Sequence, residues 1–243
     1  EDRDMAEAVE NVLKSYGVSV ITGAGLKEIK EGTAVYTKNG EEDTLDGDAI
    51  LLATGRGPNT EGLHAERAGV ELTKRGAVVT DKHLRTTAEN IWAAGDVCGN
   101  LQFTYISLDD SRIILSDMQG DGSRTTENRG AFAYSVFMEP SFSRAGLSEK
   151  EAADKGMNYR VVRMNTDMIP KAKVLRKTTG MLKAVIDKDS GKIFGAALFC
   201  PESYEIINMV KLAMDHDLDY TVLRDFIYTH PTMSEGLNDL FAL

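Results

Sequence analysis

The sequence predicts an α/β chain whose later part changes to an α+β domain. Three observations carry that expectation. Asp48–Thr54 (DAILLAT) is apolar almost throughout, as a strand covered on both faces by helices would be. Ile91–Arg112 opens as a short apolar run, turns at Gly95-Asp96 and reads as a helix from Thr104. Beyond residue 127 strand-like runs come first and helical periodicity follows, the order of an α+β domain.

Taken in order, Met5, Ala8, Val9, Val12, Leu13 and Tyr16 repeat at helical spacing, and Gly17 is placed to end that helix. Val18–Ile21 reads as a short strand broken by Gly23-Ala24-Gly25. Runs at Leu26–Lys30 and Thr33–Thr37 flank Glu31-Gly32, and Asn39-Gly40 marks a turn before DAILLAT. That run ends in Gly55-Arg56-Gly57-Pro58-Asn59, where glycine lets backbone approach a ligand closely. Residues 60–90 read as a surface connection with a short helix at Glu61–Ala68 and an extended piece at Ala77–Thr80. The polar run DGSRTTENRG (121–130) has no apolar period and marks a domain boundary. After it, Phe132–Met138 and Tyr159–Met164 read as strands, and Ser148–Glu151 as a capping box. Met181–Ile186 and Lys192–Phe199 flank Asp189-Ser190-Gly191 as a hairpin, and helices follow from Pro201, Tyr220 and Thr232.

Composition narrows the function. The chain has 243 residues, 42% of them hydrophobic, with 28 Lys and Arg against 38 Asp and Glu and a net charge of −10. That balance speaks against nucleic acid and anionic membranes as partners, which need concentrated positive surface. No apolar run approaches the ~18 residues of a membrane span, and no signal peptide opens the chain. Cys98 and Cys200 lie far apart without metal spacing, so no metal site is expected, and a cytoplasmic setting fits. The chain begins EDRDMAEAVENVLKSYG without an initiator Met and inside an α/β unit already under way; a fragment is expected. No GxGxxG occurs: Gly23 and Gly25 are followed by Glu28.

Asp96, at a strand end feeding a helix, reads either as an acceptor for a hydroxyl-bearing ligand or as a turn aspartate capping its loop. Glu235 closes Thr232-Met-Ser-Glu235, itself a capping-box pattern.

Three signatures occur in one order: ATGRGPN (53–59), IWAAGDV (91–97) and THPTMSE (229–235). Together they resemble the pyridine nucleotide–disulfide oxidoreductases, and QFTY (102–105) is similar to their mercuric-reductase-like, reactive-chlorine-resistance branch. The resemblance implies partial nucleotide-binding (Rossmann-like) domains followed by an α+β dimerisation domain. Residues 1–54 would finish an NAD(P)-binding domain, 55–126 an FAD-binding domain, and 127–243 would form the dimerisation domain of a homodimer. By that resemblance Gly95 and Asp96 bind FAD through the ribitol, Thr104 opens the helix facing the flavin, and Gly55 lies beside the nicotinamide nucleotide. His230 would be the active-site base and Glu235 its partner.

The implied reaction passes electrons from NAD(P)H through FAD and a cysteine pair to a disulfide, a metal ion or another small oxidant. The cysteine pair and the FAD phosphate turn are absent from this chain, so the chain alone is expected to retain little FAD. Two departures from the family pattern stand out. Tyr228 replaces a histidine that lipoamide dehydrogenases carry, and the chain ends NDLFAL without the cysteine pair of mercuric reductases. The alternative is a non-catalytic dimerisation or interaction module.

Overall fold

The computed structural model describes all residues, 1–243. It comprises two compact units, Glu1–Thr22 with Gly130–Leu243, and Gly23–Arg129. The division falls between Arg129 and Gly130. The first 22 residues, by contrast, pack with the C-terminal unit.

Helix α1 (Arg3–Ser15) buries Met5 and Val12, with Ala8 and Val9 partly covered, and Gly17 at φ +81° ends it. The strand expected at Val18–Ile21 does not form. No neighbouring strand pairs with it, and strand structure exists only where a ladder satisfies the backbone.

In the unit Gly23–Arg129, β1 (Ala24–Lys30), β2 (Thr33–Lys38) and β3 (Glu41–Asp46) form an antiparallel meander. Both turns are two-residue loops in the left-handed region, Glu31-Gly32 and Asn39-Gly40, whose twist matches that of paired strands. Strand β3 (EEDTLD) has no apolar alternation to announce it. It is held by its turn and by cross-strand polar pairs such as Tyr36 Oη donating to Asp43 at 2.9 Å.

DAILLAT departs most from expectation. Residues 48–54 run as irregular chain outside any sheet, with Leu51 88% and Leu52 64% exposed. A buried parallel strand requires neighbours on both edges and helices on both faces, and no strand of this chain pairs with it. The helix expected at Glu61–Ala68 contracts to a 3-10 turn, Ala65–Ala68, between His64 at φ +54° and Gly69 at φ +76°. Ile91–Ala94 makes a single bridge, Arg85 to Trp92, in place of a strand. Helix α2 runs Thr104–Gln119, as its periodicity predicts.

The remaining unit is built on a five-stranded antiparallel sheet. Its strands are β4 (Ala133–Val136), β5 (Phe142–Gly146), β6 (Tyr159–Asn165), β7 (Met181–Asp187) and β8 (Ile193–Phe199), in the order β4-β5-β8-β7-β6. Helices α3 (Glu149–Asp154) and α4 (Pro170–Leu175) connect strands, and α5 (Ser203–Asp215), α6 (Thr221–Arg224) and α7 (Gly236–Ala242) follow the sheet. The capping box at α3 is complete: Glu151 N–H donates to Ser148 Oγ at 3.1 Å, and Ser148 N–H to Glu151 at 2.7 Å. Strand β5 was not expected from PSFSRAG, because its burial depends on hydroxyl pairing. Ser143 meets Ser203 at 2.9 Å and Ser135 at 2.8 Å.

Alternation along β7 and β8 divides two cores. Leu182, Ala184, Ile186, Ala196 and Leu198 face Ile206, Ile207, Val210 and Leu237 of the helices. On the other side, Ala197 and Phe199 pack with Met5 and Val12 of α1. Lys183 also sits there, buried, with Nζ 2.9 Å from Asp2, 2.9 Å from Asp4 and 2.7 Å from Glu149. Asp2 accepts further from the N–H groups of Glu149 (2.9 Å) and Lys150 (3.0 Å) at the start of α3. Burial alone would raise the carboxyls of Asp2 and Asp4; hydrogen bonds from Lys183, Arg163 and backbone N–H groups outweigh it and hold both below the usual range. Burial would likewise lower Lys183, yet its three carboxylates hold it above its usual value.

Lys183→Met should therefore destabilise the protein. Breaking a buried ion pair costs about 3–5 kcal/mol, but Asp4 and Glu149 are a third exposed and keep Arg163, so roughly 2 kcal/mol is expected. The sign with pH follows from the shifts. Depressed Asp2 and Asp4 stabilise above their ordinary 3.8 and cease to do so as pH falls through their lower native values. Raised Lys183 stabilises below 10.5 and ceases to do so as pH rises through its higher native value. Urea midpoints measured from acid to alkaline pH should fall at both ends in the native protein and less steeply in Lys183→Met. Equal slopes would show that the cluster does not couple to folding.

Candidate functional site

The chain from Ala94 to Ser107 builds one wall of an open cavity of about 720 Å³, and Gly55 and Arg56 supply another. All of these residues belong to the unit Gly23–Arg129. Gly95-Asp96-Val97-Cys98 form a 3-10 turn that begins at Gly95, φ +75°. A Cβ at Gly95 would lie 2.7 Å from Ser107 Oγ, so only glycine lets this turn rest directly on α2. Gly55 adopts φ +111°, also a glycine conformation, and no heavy atom lies within 4 Å of where its Cβ would be.

Asp96 presents a half-exposed carboxylate to the cavity, with Arg56 Nη1 3.8 Å away. Thr104 opens α2 at the same cavity, and no side chain caps that helix N-terminus. The first-turn N–H groups and the helix dipole thus place partial positive charge on the cavity wall. Of the residues singled out from sequence, Gly55, Gly95, Asp96 and Thr104 are brought together here.

His230 and Glu235 form a second arrangement, in the other unit. His230 Nδ1 lies 2.8 Å from Glu235 Oε2; the imidazole is 71% exposed and the carboxylate 12%. With Nδ1–H donated to the carboxylate, Nε2 keeps its lone pair and faces outward as an acceptor. The capping box read at Thr232–Glu235 does not form. Helix α7 starts only at Gly236, Thr232 Oγ1 donates to the Thr229 carbonyl at 2.8 Å, and Glu235 turns to the histidine. Tyr228 donates to the Leu223 carbonyl at 3.2 Å, and burial pushes its phenol up to about 12.

Sequence reading passed over three groups that shape these sites. Arg56 lies inside ATGRGPN, a glycine turn and family signature in which the arginine itself has no assigned role. Asp110, buried, pairs with the largely covered Arg129 behind the Gly95 turn, with 2.7 Å between Oδ1 and Nη2. The signal was present in the helix period, since Asp109 and Asp110 fall on the stripe that Ile106 and Ile113 bury. Asn238 of α7 donates to the carbonyls of Leu223, Arg224 and Phe226 at 3.1, 2.7 and 3.1 Å, tying down the segment that leads to His230.

The cysteines stand apart from this chemistry. Burial, with Asp110 nearby, pushes the Cys98 thiol up to about 11, and burial pushes Cys200 to about 12. Thiols held there carry almost no thiolate near neutrality. No group of His, Cys, Asp and Glu is arranged to hold a metal ion, and no helix is long and apolar enough to cross a membrane.

The chain belongs to the pyridine nucleotide-disulphide oxidoreductases. The family matches residues 1–111, and its dimerisation domain matches residues 132–241. Among individual relatives, the chain is 47% identical along its whole length to the probable pyridine nucleotide-disulfide oxidoreductase RclA of Escherichia coli (strain K12), covering 55% of that protein. The solved structure of the HOCl-induced flavoprotein disulfide reductase RclA from Escherichia coli matches with a TM-score of 0.92 at 46% identity, over 100% of this chain and 56% of that one. A mercuric reductase of Staphylococcus aureus is 34% identical over 241 residues, 97% of this chain and 44% of the relative. The chain spans about half the length of the curated relatives it matches.

Proposed function

We propose that this chain serves an FAD-dependent NAD(P)H oxidoreductase whose final acceptor is a disulfide, a metal ion or another small oxidant. The cavity at Gly55, Asp96 and the α2 N-terminus carries the reading. Its atoms suit FAD: a half-exposed carboxylate for ribitol hydroxyls, side-chain-free backbone at Gly55 and Gly95, and an uncapped helix N-terminus for an electron-rich ring edge. When bound, FAD would take reducing equivalents from NAD(P)H and supply them to the acceptor. In this reading residues 1–54 contribute to NAD(P) binding, 55–126 to FAD binding and 127–243 to dimerisation.

The chain's own residues then have distinct tasks. Asp96 accepts hydrogen bonds from hydroxyl groups and fixes the cofactor's position. The dipole of α2 favours negative charge at its N-terminus. His230 Nε2 takes a proton from a thiol, and Glu235 holds the imidazole in the tautomer that makes this possible. Cys98 and Cys200, buried and protonated, are not assigned to electron transfer. Unpaired cysteines also fit a reducing, cytoplasmic setting.

Three outcomes are expected. In protein carrying bound FAD, Asp96→Ala should weaken retention by about 1.5–3 kcal/mol, the worth of a hydrogen bond to a charged group. Flavin occupancy unchanged after dialysis would remove Asp96 from the cofactor site. His230→Ala should slow turnover on a thiol- or metal-linked acceptor by roughly 10²–10⁴ while NAD(P)H still bleaches the flavin at the native rate. Glu235→Gln, which keeps a hydrogen bond and loses the charge, should slow the same step less. Stopped-flow traces separate the two half-reactions, and native rates in both for His230→Ala would make the histidine a loop residue.

The third outcome is oligomeric state. Phe137, Val136, Leu212 and Ile227 are exposed apolar groups on the unit that holds the dimerisation domain. Sedimentation at micromolar concentration should give twice the 26.6 kDa chain mass. A lone 26.6 kDa species would count against a homodimer.

A further inference from the structure

Behind the Gly95-Asp96 turn lies a cluster of charge, its two carboxylates buried, that the proposed chemistry does not use. Asp110 is buried on α2, and each of its carboxylate oxygens has one donor: Oδ2 accepts the Gly95 N–H at 2.8 Å, and Oδ1 accepts Arg129 Nη2 at 2.7 Å. The neighbouring carboxylate of Asp109 pairs with Arg124, with Arg129 Nε 3.5 Å from its other oxygen. Arg129 is itself largely covered, so its charge is spent on these two aspartates.

We propose that Asp110, clamped by Arg129, is a positioning residue: it fixes the Gly95 N–H and so sets where Asp96 presents its carboxylate to the cavity. The proposal rests on the reading of that cavity as the FAD site. Gly95 has no side chain with which to anchor its own turn, and its missing Cβ is what brings the backbone against Ser107. The charge-assisted bond that the Gly95 N–H donates to a buried carboxylate is then the rigid connection between α2 and the turn. The carboxylate in turn is held in one orientation by the guanidinium, as an outer partner orients a ligand-bearing group.

The chemistry selects the variant. Asp110→Asn keeps the shape, but an amide offers one acceptor where two donors converge, so either Gly95 or Arg129 faces an NH₂ group. Hydrogen–deuterium exchange in the intact chain reads the turn directly, and exchange in β2, in the same unit, reports unfolding of that unit. Asp110→Asn should speed exchange across residues 95–98 about tenfold or more, leave β2 unchanged, and raise the FAD dissociation rate of flavin-loaded protein by about 10–100-fold, the range seen when outer partners of metal ligands are changed. Native exchange across the turn would overturn the proposal.

If β2 exchange rises as well, Arg129→Lys decides the matter, because it leaves Asp110 on Gly95 while removing the fixed fork. Acceleration confined to the turn supports the proposal; acceleration in both places or in neither overturns it. Asp96→Ala separates the two levels of inference. If Asp96→Ala loses flavin while Asp110→Asn retains it, positioning by Asp110 is wrong and the site stands. If both retain flavin, the cavity reading has failed and the proposal falls with it.

Discussion

One ammonium group governs the C-terminal unit. Lys183 projects from the middle of β7 on the face away from α5, where an unpaired charge would be expensive to bury. Asp2, Asp4 and Glu149 supply the compensation, two of them from the start of α1 and one from α3. The sheet's second apolar face, with Phe142, Ala197 and Phe199, is closed by Met5 and Val12 of the same α1 helix. Charge and apolar contact thus demand one docking position, and neither is satisfied without the other. This explains why a segment at the beginning of the chain packs with residues more than a hundred positions later.

Carboxylates recur as devices that hold backbone or side chains in place. Asp2 accepts two N–H groups at the head of α3, and Asp110 accepts the N–H of Gly95. Asp215 accepts the N–H of Ala131 just past the division between the units, and Glu235 holds His230. The net charge of −10 speaks for solubility, yet several of the acids contribute through location. Acceptor-only groups suit this task, because turns and helix starts present N–H groups that nothing local satisfies.

The two candidate sites rest on the same logic. At the cavity, a glycine turn leaning on α2 gives Asp96 a fixed place beside an uncapped helix N-terminus. At the histidine, a nearly buried carboxylate fixes an exposed imidazole, while Asn238 secures the preceding segment through three carbonyls. Each leaves one polar group accessible and holds it against a more covered one. That division keeps the group accessible while limiting its conformational freedom.

How much of this was legible in the chain depends on whether the information is local. Periodicity placed α1, α2, β6, the β7–β8 hairpin and α5, and Ser148–Glu151 announced its own cap. The family signatures contain Gly55, Gly95, Asp96, His230 and Glu235, with Thr104 in QFTY; the structure groups four of these six at one cavity and pairs the other two. Elements whose stability comes from elsewhere were not legible. Strand β3 needed its turn, β5 needed the hydroxyl of Ser203, and DAILLAT has the composition of a buried strand with no partner strand in this chain. The Lys183 cluster and the Asp110–Arg129 pair were equally hidden, because a charged residue in sequence looks solvated until its opposite arrives from a distant segment. Sequence determined the local propensities and the chemical groups; tertiary structure alone decided which strands found partners and which charges were buried, since both depend on contacts far apart along the chain.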